Sequence, residues 1–359
     1  TLVGLLRRLV GGLGTLGSAL HLYVELIEAR VDGCELVLVG GASAEAYGGH
    51  DGDGDGACCV DVLLGQFHFQ LPPSSGEAGI LDLKNNEWLE FIKRYLDTTL
   101  IPQINFTGGE CLLRKKLLMK IINEISRKDT NTKIGILTNG YYVDDYFIDL
   151  LKEVPNPIFF QISLDGANKK EHEAVRRIRG SWEKAIDACL RITNAGFPLK
   201  IASVVTERNQ NDIQDIFDLT LLLGAESLGV GPVVPLGRAI EDKESLVLDT
   251  HSINKIIDNL TELKKLYNQY FTTNISSPLN SNYYAKVLEV GQNWLMIDNR
   301  GNVKVDSRLP FFVGNILESS IENIWETVCS SNINYNLHTM LDDAIKTGNT
   351  INNTRKINI

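Results

Sequence analysis

The sequence predicts an α/β fold, a parallel sheet covered by helices, and three observations predict it. From residue 81 onward, strand-length apolar runs alternate with segments of helical periodicity. Those runs are almost continuous in Val, Ile, Leu and Phe, the pattern of parallel strands under a helical cover. Each run ends in polar residues or glycine (TGGE, TNG, SLDG, TERN, PLGR), and in parallel α/β folds the C-terminal strand ends carry the site.

The elements follow in order. In NNEWLEFIKRYLD, Trp88, Phe91, Ile92, Tyr95 and Leu96 recur at helical spacing, so a helix is expected over 86–97. A strand over 101–106 leads to a helix in which Leu113, Leu117, Ile121 and Ile125 share a face. Strand KIGILTNG (133–140) precedes helix DDYFIDLLKEV, and strand PIFFQISLDG (157–166) precedes helix SWEKAIDACLRITNAG. Strand LKIASVVTER (199–208), helix IQDIFDLTLLLGA and strand LGVGPVVPLG (228–237) complete five strands whose ends should face one rim.

Bulk properties narrow the function classes. A chain of 359 residues, 43% hydrophobic and 22% charged, has the make-up of an ordinary globular protein with room for a large core. No apolar run reaches the roughly 20 residues of a membrane-spanning helix, so no membrane partner is expected. The net charge of −10 argues against a general nucleic-acid binder. Six scattered cysteines (Cys34, Cys58, Cys59, Cys111, Cys189, Cys329) suit a reducing, cytoplasmic setting rather than a disulfide scaffold. The start at Thr1 rather than Met points to a fragment.

A compositional seam lies near residue 80. Up to Ile80 there is no Lys or Asn, yet 16 of the 31 glycines and 10 acidic against 3 basic side chains fall there. Lys, Asn and Ile then become abundant, as in the tail NTINNTRKINI. GC-rich codons specify the first bias and AT-rich codons the second, so we hypothesise that residues 1–80 are a fusion or a misread frame; a continuous frame in the native locus would refute this. The alternative is a glycine-rich appended domain. Within this stretch Asp51, Asp53, Asp55 and Gly56 match the start of a calcium loop, but the twelfth position, which needs a bidentate Glu, is Val62. It reads as a flexible acidic loop. Leucines around Arg7 and Arg8 over 1–26 fit an amphipathic helix, and glycines interrupt what would be a signal peptide.

At the rim, Gly108 and Gly109 allow a ligand to approach the main chain, and the following helix start offers free N–H groups. Glu110 falls in that first turn, where the helix dipole favours its carboxylate form. Taken alone, the same residues suit any βα turn. Likewise Ser163 and Asp165 suit a turn, and Arg176 beside Arg177 and Arg179 suits a solvated face.

The order of motifs goes further. FTGGE, LTNG, SLDG followed by EHEAVRR and GSW, and a last strand running into PLGRA resemble the radical SAM superfamily, and within it the peptide- and protein-modifying branch with a SPASM or twitch extension. The likeness is strong over 81–240 and weaker over 290–327, where NRGNV and GNILESSIENIWE look like that extension's hairpin and closing helix. It implies a partial (β/α)6 TIM-like barrel over 81–245, then a C-terminal helix, the extension and a polar tail over 246–359. It also implies S-adenosylmethionine (SAM) across the strand ends: Gly108, Gly109 and Glu110 at the methionine amino group, Ser163 and Arg176 at the carboxylate or ribose, Asn139 and Asp165 at the same rim, and Leu236 near the adenine. A 5′-deoxyadenosyl radical, a peptide or protein substrate and an electron donor such as flavodoxin or ferredoxin belong to the same expectation.

The departure is the cluster loop. Family chemistry uses C-x-x-x-C-x-x-C after the first barrel strand to hold a [4Fe–4S] cluster through thiolates. That spacing is absent. Cys58 and Cys59 are adjacent, pointing to opposite faces of an extended chain, and Cys34 is remote. Cys111 stands where the family usually has proline and reads as a small helix-start residue; Cys189 and Cys329 read as buried on amphipathic helices. VKVDSRLPFFVGN lacks the cysteines of an auxiliary cluster. No metal ligands are therefore assigned. The expectation is a radical SAM-type chain inactive as written, or a cluster-free scaffold for SAM or a peptide.

Overall fold

The computed structural model describes residues 66–71, 83–98, 102–233, 246–276, 294–304, 311–329 and 355–356. All lie in the second of the two units into which the chain divides, Val62–Ile359. Leu236, Cys34, Cys58, Cys59, the HDGDGDGACC loop and the 1–26 stretch lie outside the described residues.

The fold is α/β, with a ten-stranded sheet at its centre. Its parallel strands are β1 (Gln66–Leu71), β2 (Gln103–Gly108), β3 (Lys133–Thr138), β4 (Ile158–Ser163), β5 (Leu199–Val205), β6 (Ser227–Pro232) and β7 (Thr272–Ile275), in spatial order 1 to 7. The predicted strands are all present: β3, β4 and β5 stop two or three residues short of their expected ends, β2 starts two residues later and runs two further than expected, and β6 runs over Ser227–Pro232, with 234–237 outside the described residues. Two neighbours came without a sequence assignment: β1, paired with β2 so that His68 is opposite Asn105, and β7, paired with β6. The sheet thus takes β1 from before residue 81, and β7 with three further strands from after 245.

The helices are α1 (Asn85–Thr98), α2 (Lys115–Lys128), α3 (Asp145–Lys152), α4 (Lys169–Arg176), α5 (Ser181–Asn194), α6 (Ile213–Leu222) and α7 (Thr250–Tyr267). They cover one face of the sheet, where Ile104, Phe106, Ile136, Phe160, Ile162, Ile201 and Leu228 are buried. The strands are not buried on both faces, however. In β5 Ile201 and Val205 are buried whereas Ala202 is half-buried and Val204 exposed. The open row is the inner face of a partial barrel, and alternation re-emerges because helices cover only the outside.

Local chemistry sets the helix starts. Asp144 caps α3 by accepting from the Phe147 N–H at 2.8 Å, and Asn168 caps α4 by accepting from Glu171 N–H at 3.1 Å. Before α2 the chain makes a tight 3-10 turn, Cys111–Arg114, instead of the single long helix predicted. That change of winding buries Leu112 and leaves Leu113 half-exposed, so Leu113 leaves the face shared by Leu117, Ile121 and Ile125.

Past the barrel, β8 (Trp294–Ile297) adds in parallel to β1 and forms a hairpin with β9 (Asn302–Lys304). Asp298 organises the turn by accepting from Arg300 N–H and Asn302 N–H, and Gly301 takes φ +82° against Ile316. The hairpin is tied to α1 by Leu83 N–H on Asn299 O at 2.8 Å and by Arg94 on Ile316 O at 2.9 Å. Strands β10 (Phe311–Phe312), β11 (Gly314–Asn315) and β12 (Arg355–Lys356) and helix α8 (Ile321–Cys329) complete the described elements.

Candidate active site

The strand ends form two hydrogen-bonded knots. At the β2–β3 end, Gly108 has φ +148°, a backbone region that side chains disfavour. It turns the chain so that Glu110, buried, aims back at the neighbouring strand. One Glu110 oxygen, Oε1, accepts from Leu112 N–H at 3.0 Å and Thr138 Oγ1–H at 2.6 Å; Oε2 accepts from Asn139 N–H at 2.9 Å. Glu110 is thus the clamp between two strand ends.

Gly109 is the part left open. Among the described residues, a Cβ built there would meet nothing within 4 Å, whereas one at Gly135 would strike Asn105 and Phe159 and one at Gly166 would strike the backbone of His172. The main chain at Gly109 is therefore approachable from the rim, as a ligand cradle requires.

Asn139 is at the rim, but it contributes its N–H to Glu110 while its side chain accepts from Tyr141 N–H at 2.9 Å. The side chain bonded to Glu110 is that of Thr138, which the sequence reading did not single out. Its signal was the last outward position of a strand ending next to Gly-Gly-Glu.

The second knot ties β4 to β5. Asp165 is buried and accepts from Val204 N–H at 3.0 Å through Oδ1, while Oδ2 pairs with Arg176 Nε at 2.5 Å. Burial pushes the Asp165 carboxyl above its usual range, opposed by the Arg176 charge and the Val204 bond. His172 and Arg176 sit one turn apart on α4 and so share a face. His172 is buried, accepts from Asp165 N–H at 3.1 Å through Nδ1, and is held down to about 4 by burial and then by the Arg176 charge. Asn209 closes the knot, donating to Asp165 O at 2.7 Å and Val204 O at 2.8 Å. His172 and Asn209 were also missed, although both belong to motifs already quoted, EHEAVRR and TERN.

The predicted residues are therefore brought to one rim in two groups: Gly108, Gly109, Glu110 and Asn139 at β2–β3, and Asp165 with Arg176 at β4–β5. Ser163 ends β4 half-buried on the inner face, opposite Ala202. Arg176 is turned toward Asp165 and keeps a side-chain exposure of 31%.

The open Gly108–Gly109 turn fits SAM. An iron–sulfur cluster does not fit the thiols that are described. Cys111 is fully buried, donates to Leu137 O at 3.4 Å, and is pushed up by burial and then by the Glu110 charge; Cys189 is likewise buried and pushed up. Cluster iron binds thiolates, and these sites disfavour them. Among the described residues no three His, Cys, Asp or Glu side chains are placed to hold a metal ion. Among those residues, too, no helix is long and apolar enough to cross a membrane.

Comparison with known proteins agrees with this architecture. Residues 77–220 match the Radical SAM superfamily. Over 185 residues the chain is 25% identical to the sporulation killing factor maturation protein SkfB of Bacillus subtilis, a match covering 51% of this chain and 43% of that protein. It is 25% identical to the AdoMet-dependent heme synthase of Methanosarcina barkeri, over 63% of this chain and 68% of that one. To the PqqA peptide cyclase of Granulibacter bethesdensis it is 22% identical, over 60% and 55%. The match thus spans about half the length of the maturation protein and of the cyclase. Among solved structures, native anSMEcpe with bound AdoMet and Cp18Cys peptide superposes with a TM-score of 0.56 at 17% identity, over 77% of this chain and 83% of that one, which shows a shared fold. Over residues 77–220 the chain is thus similar to the radical SAM superfamily.

Proposed function

We propose that this chain is a radical SAM-type protein that takes SAM at the Gly108–Gly109–Glu110 rim and a peptide or protein substrate in its barrel, and that as written it does not cleave SAM reductively. The observation that carries the SAM site is the open main chain at Gly109 beside a fully bonded Glu110. Ser163 on the inner face completes the cradle, and Asn139, Asp165 and Arg176 hold its walls. Leu236 takes the adenine. A peptide substrate is supported by the SkfB and PqqA cyclase relatives and by the peptide in the anSMEcpe structure.

A bound cluster would supply the electron that breaks the sulfonium bond. The loop that should hold it, between β1 and α1, contains no cysteine at 72–84. A flavodoxin or ferredoxin donor would therefore have no cluster to reduce in this loop. The same absence favours the second reading, a scaffold that binds SAM or a peptide without radical chemistry. Calorimetric titration of SAM, before and after anaerobic reconstitution with iron and sulfide, tests both parts. Binding that needs no iron is expected. About four irons per chain would overturn the cluster-free reading, and absence of SAM binding would overturn the cradle.

A further inference from the structure

The inner face of the barrel has a charge pattern of its own. The chain carries a net charge of −10, yet the inner rows of β2 to β7 contain no Asp or Glu and two lysines, Lys133 and Lys200. Both flank one aromatic ring: Lys133 Nζ lies 5.1 Å and Lys200 Nζ 4.0 Å from the centre of Phe159. Gly135 makes this possible, because the Phe159 ring occupies the space where its Cβ would be.

Position in the ladder connects this floor to the rim. Ser163 is opposite Ala202, and Gln161 opposite Lys200. Lys200 therefore stands two residues below the Ser163 row, about 6–7 Å. Ala202 faces Gly229 across β5–β6, so the row above the lysine carries small side chains on these two strands.

Lys200 is half-buried and Lys133 exposed, both near the N-terminal ends of their strands beside the Phe159 ring. Among the described residues no carboxylate lies within ion-pair distance of either lysine. Lys200 is pushed down by burial first and by Lys133 second, with Glu226 opposing weakly. The ring face offsets part of this charge, and an incoming anion would offset the rest.

We propose that Lys200 and Lys133, over the Phe159 ring, select a substrate with an acidic side chain inserted below the SAM rim. This rests on the reading of the barrel as a peptide site, and it names the substrate class: a peptide carrying Glu or Asp at the inserted position.

The full chain is titrated calorimetrically with two blocked peptides, acetyl-Gly-Ala-Glu-Ala-Gly-amide and its Gln counterpart. The Glu peptide should bind about tenfold tighter, a difference that shrinks with added salt. Lys200→Gln should reduce the preference below about threefold, and Lys200→Glu should reverse it. Urea midpoints of both variants confirm that they fold, and Lys133→Gln gives a second route to the same loss. Equal affinity for the two peptides, including no binding of either, overturns the inference, as does an unchanged preference in Lys200→Gln. Peptide preference without SAM binding would sink the SAM cradle and leave this inference standing; SAM binding without preference does the reverse.

Discussion

The two knots at the rim both anchor a buried carboxyl group, and they do it with opposite chemistry. At β2–β3, Glu110 is satisfied by two backbone N–H groups and one hydroxyl, and Gly109 beside it stays open. At β4–β5, Asp165 is satisfied by a guanidinium and an N–H, with a neutral imidazole and an amide packed around it. The first spends no side-chain charge of the chain on its carboxyl and so leaves a free approach for a ligand. The second locks its one cation inward. Proximity to a strand end therefore does not make a residue a ligand contact; its existing partners decide.

The contrast can be broken most strongly at Asp165. Asp165→Ala leaves Arg176 facing a buried gap and Val204 N–H unpaired, and should destabilise the fold by about 3 kcal/mol, the low end for a broken buried pair because Arg176 is partly exposed. Urea unfolding measures this; a loss under about 1 kcal/mol would show that the ion pair is a surface contact in solution.

His172 gives a pH test of similar size. Its folded value of about 4 lies below the ordinary 6.5, so the unfolded chain takes up the proton first as pH falls. Stability from this group is complete above pH 6.5 and is lost between about 6.5 and 4, by roughly 3 kcal/mol at most. Protonation of Asp165 works the other way, since its carboxyl is raised. His172→Gln should flatten the slope of unfolding free energy against pH in that window, and an unchanged slope would place the titration elsewhere.

Gly109→Ala is the mildest change and sharpens the contrast most. Gly109 does not have a left-handed φ and has open space around it, so stability should stay within about 0.5 kcal/mol. SAM affinity should fall about tenfold, because the new methyl group fills the approach to the main chain. Unchanged affinity by calorimetry would remove Gly109 from the cradle.

Much of the fold was legible because it depends on local periodicity. Helix α1 was expected within a residue of either end, since Trp88, Phe91, Ile92 and Tyr95 define its buried face without help from elsewhere. Leu112 was not legible, because a 3-10 turn and an α-helical turn differ by a winding that the apolar pattern barely marks. At the site, Gly108, Gly109 and Glu110 were legible from residue type at a strand end. The partner of Glu110 was not: Thr138 and Asn139 are adjacent, and only tertiary register decides which of the two side chains is turned toward Glu110. His172 and Asn209 are hidden for the same reason, being far apart in sequence and joined only through Asp165.

The sequence by itself determined the alternation of strands and helices, the glycine turn and the missing cluster cysteines, because periodicity, backbone freedom and thiolate chemistry are properties of single residues and their neighbours. Tertiary structure alone decided that Arg176 serves Asp165, that Cys111 is a buried thiol, and that Lys133 and Lys200 meet over Phe159. Each of these depends on how elements pack in space, where distance and desolvation set the chemistry.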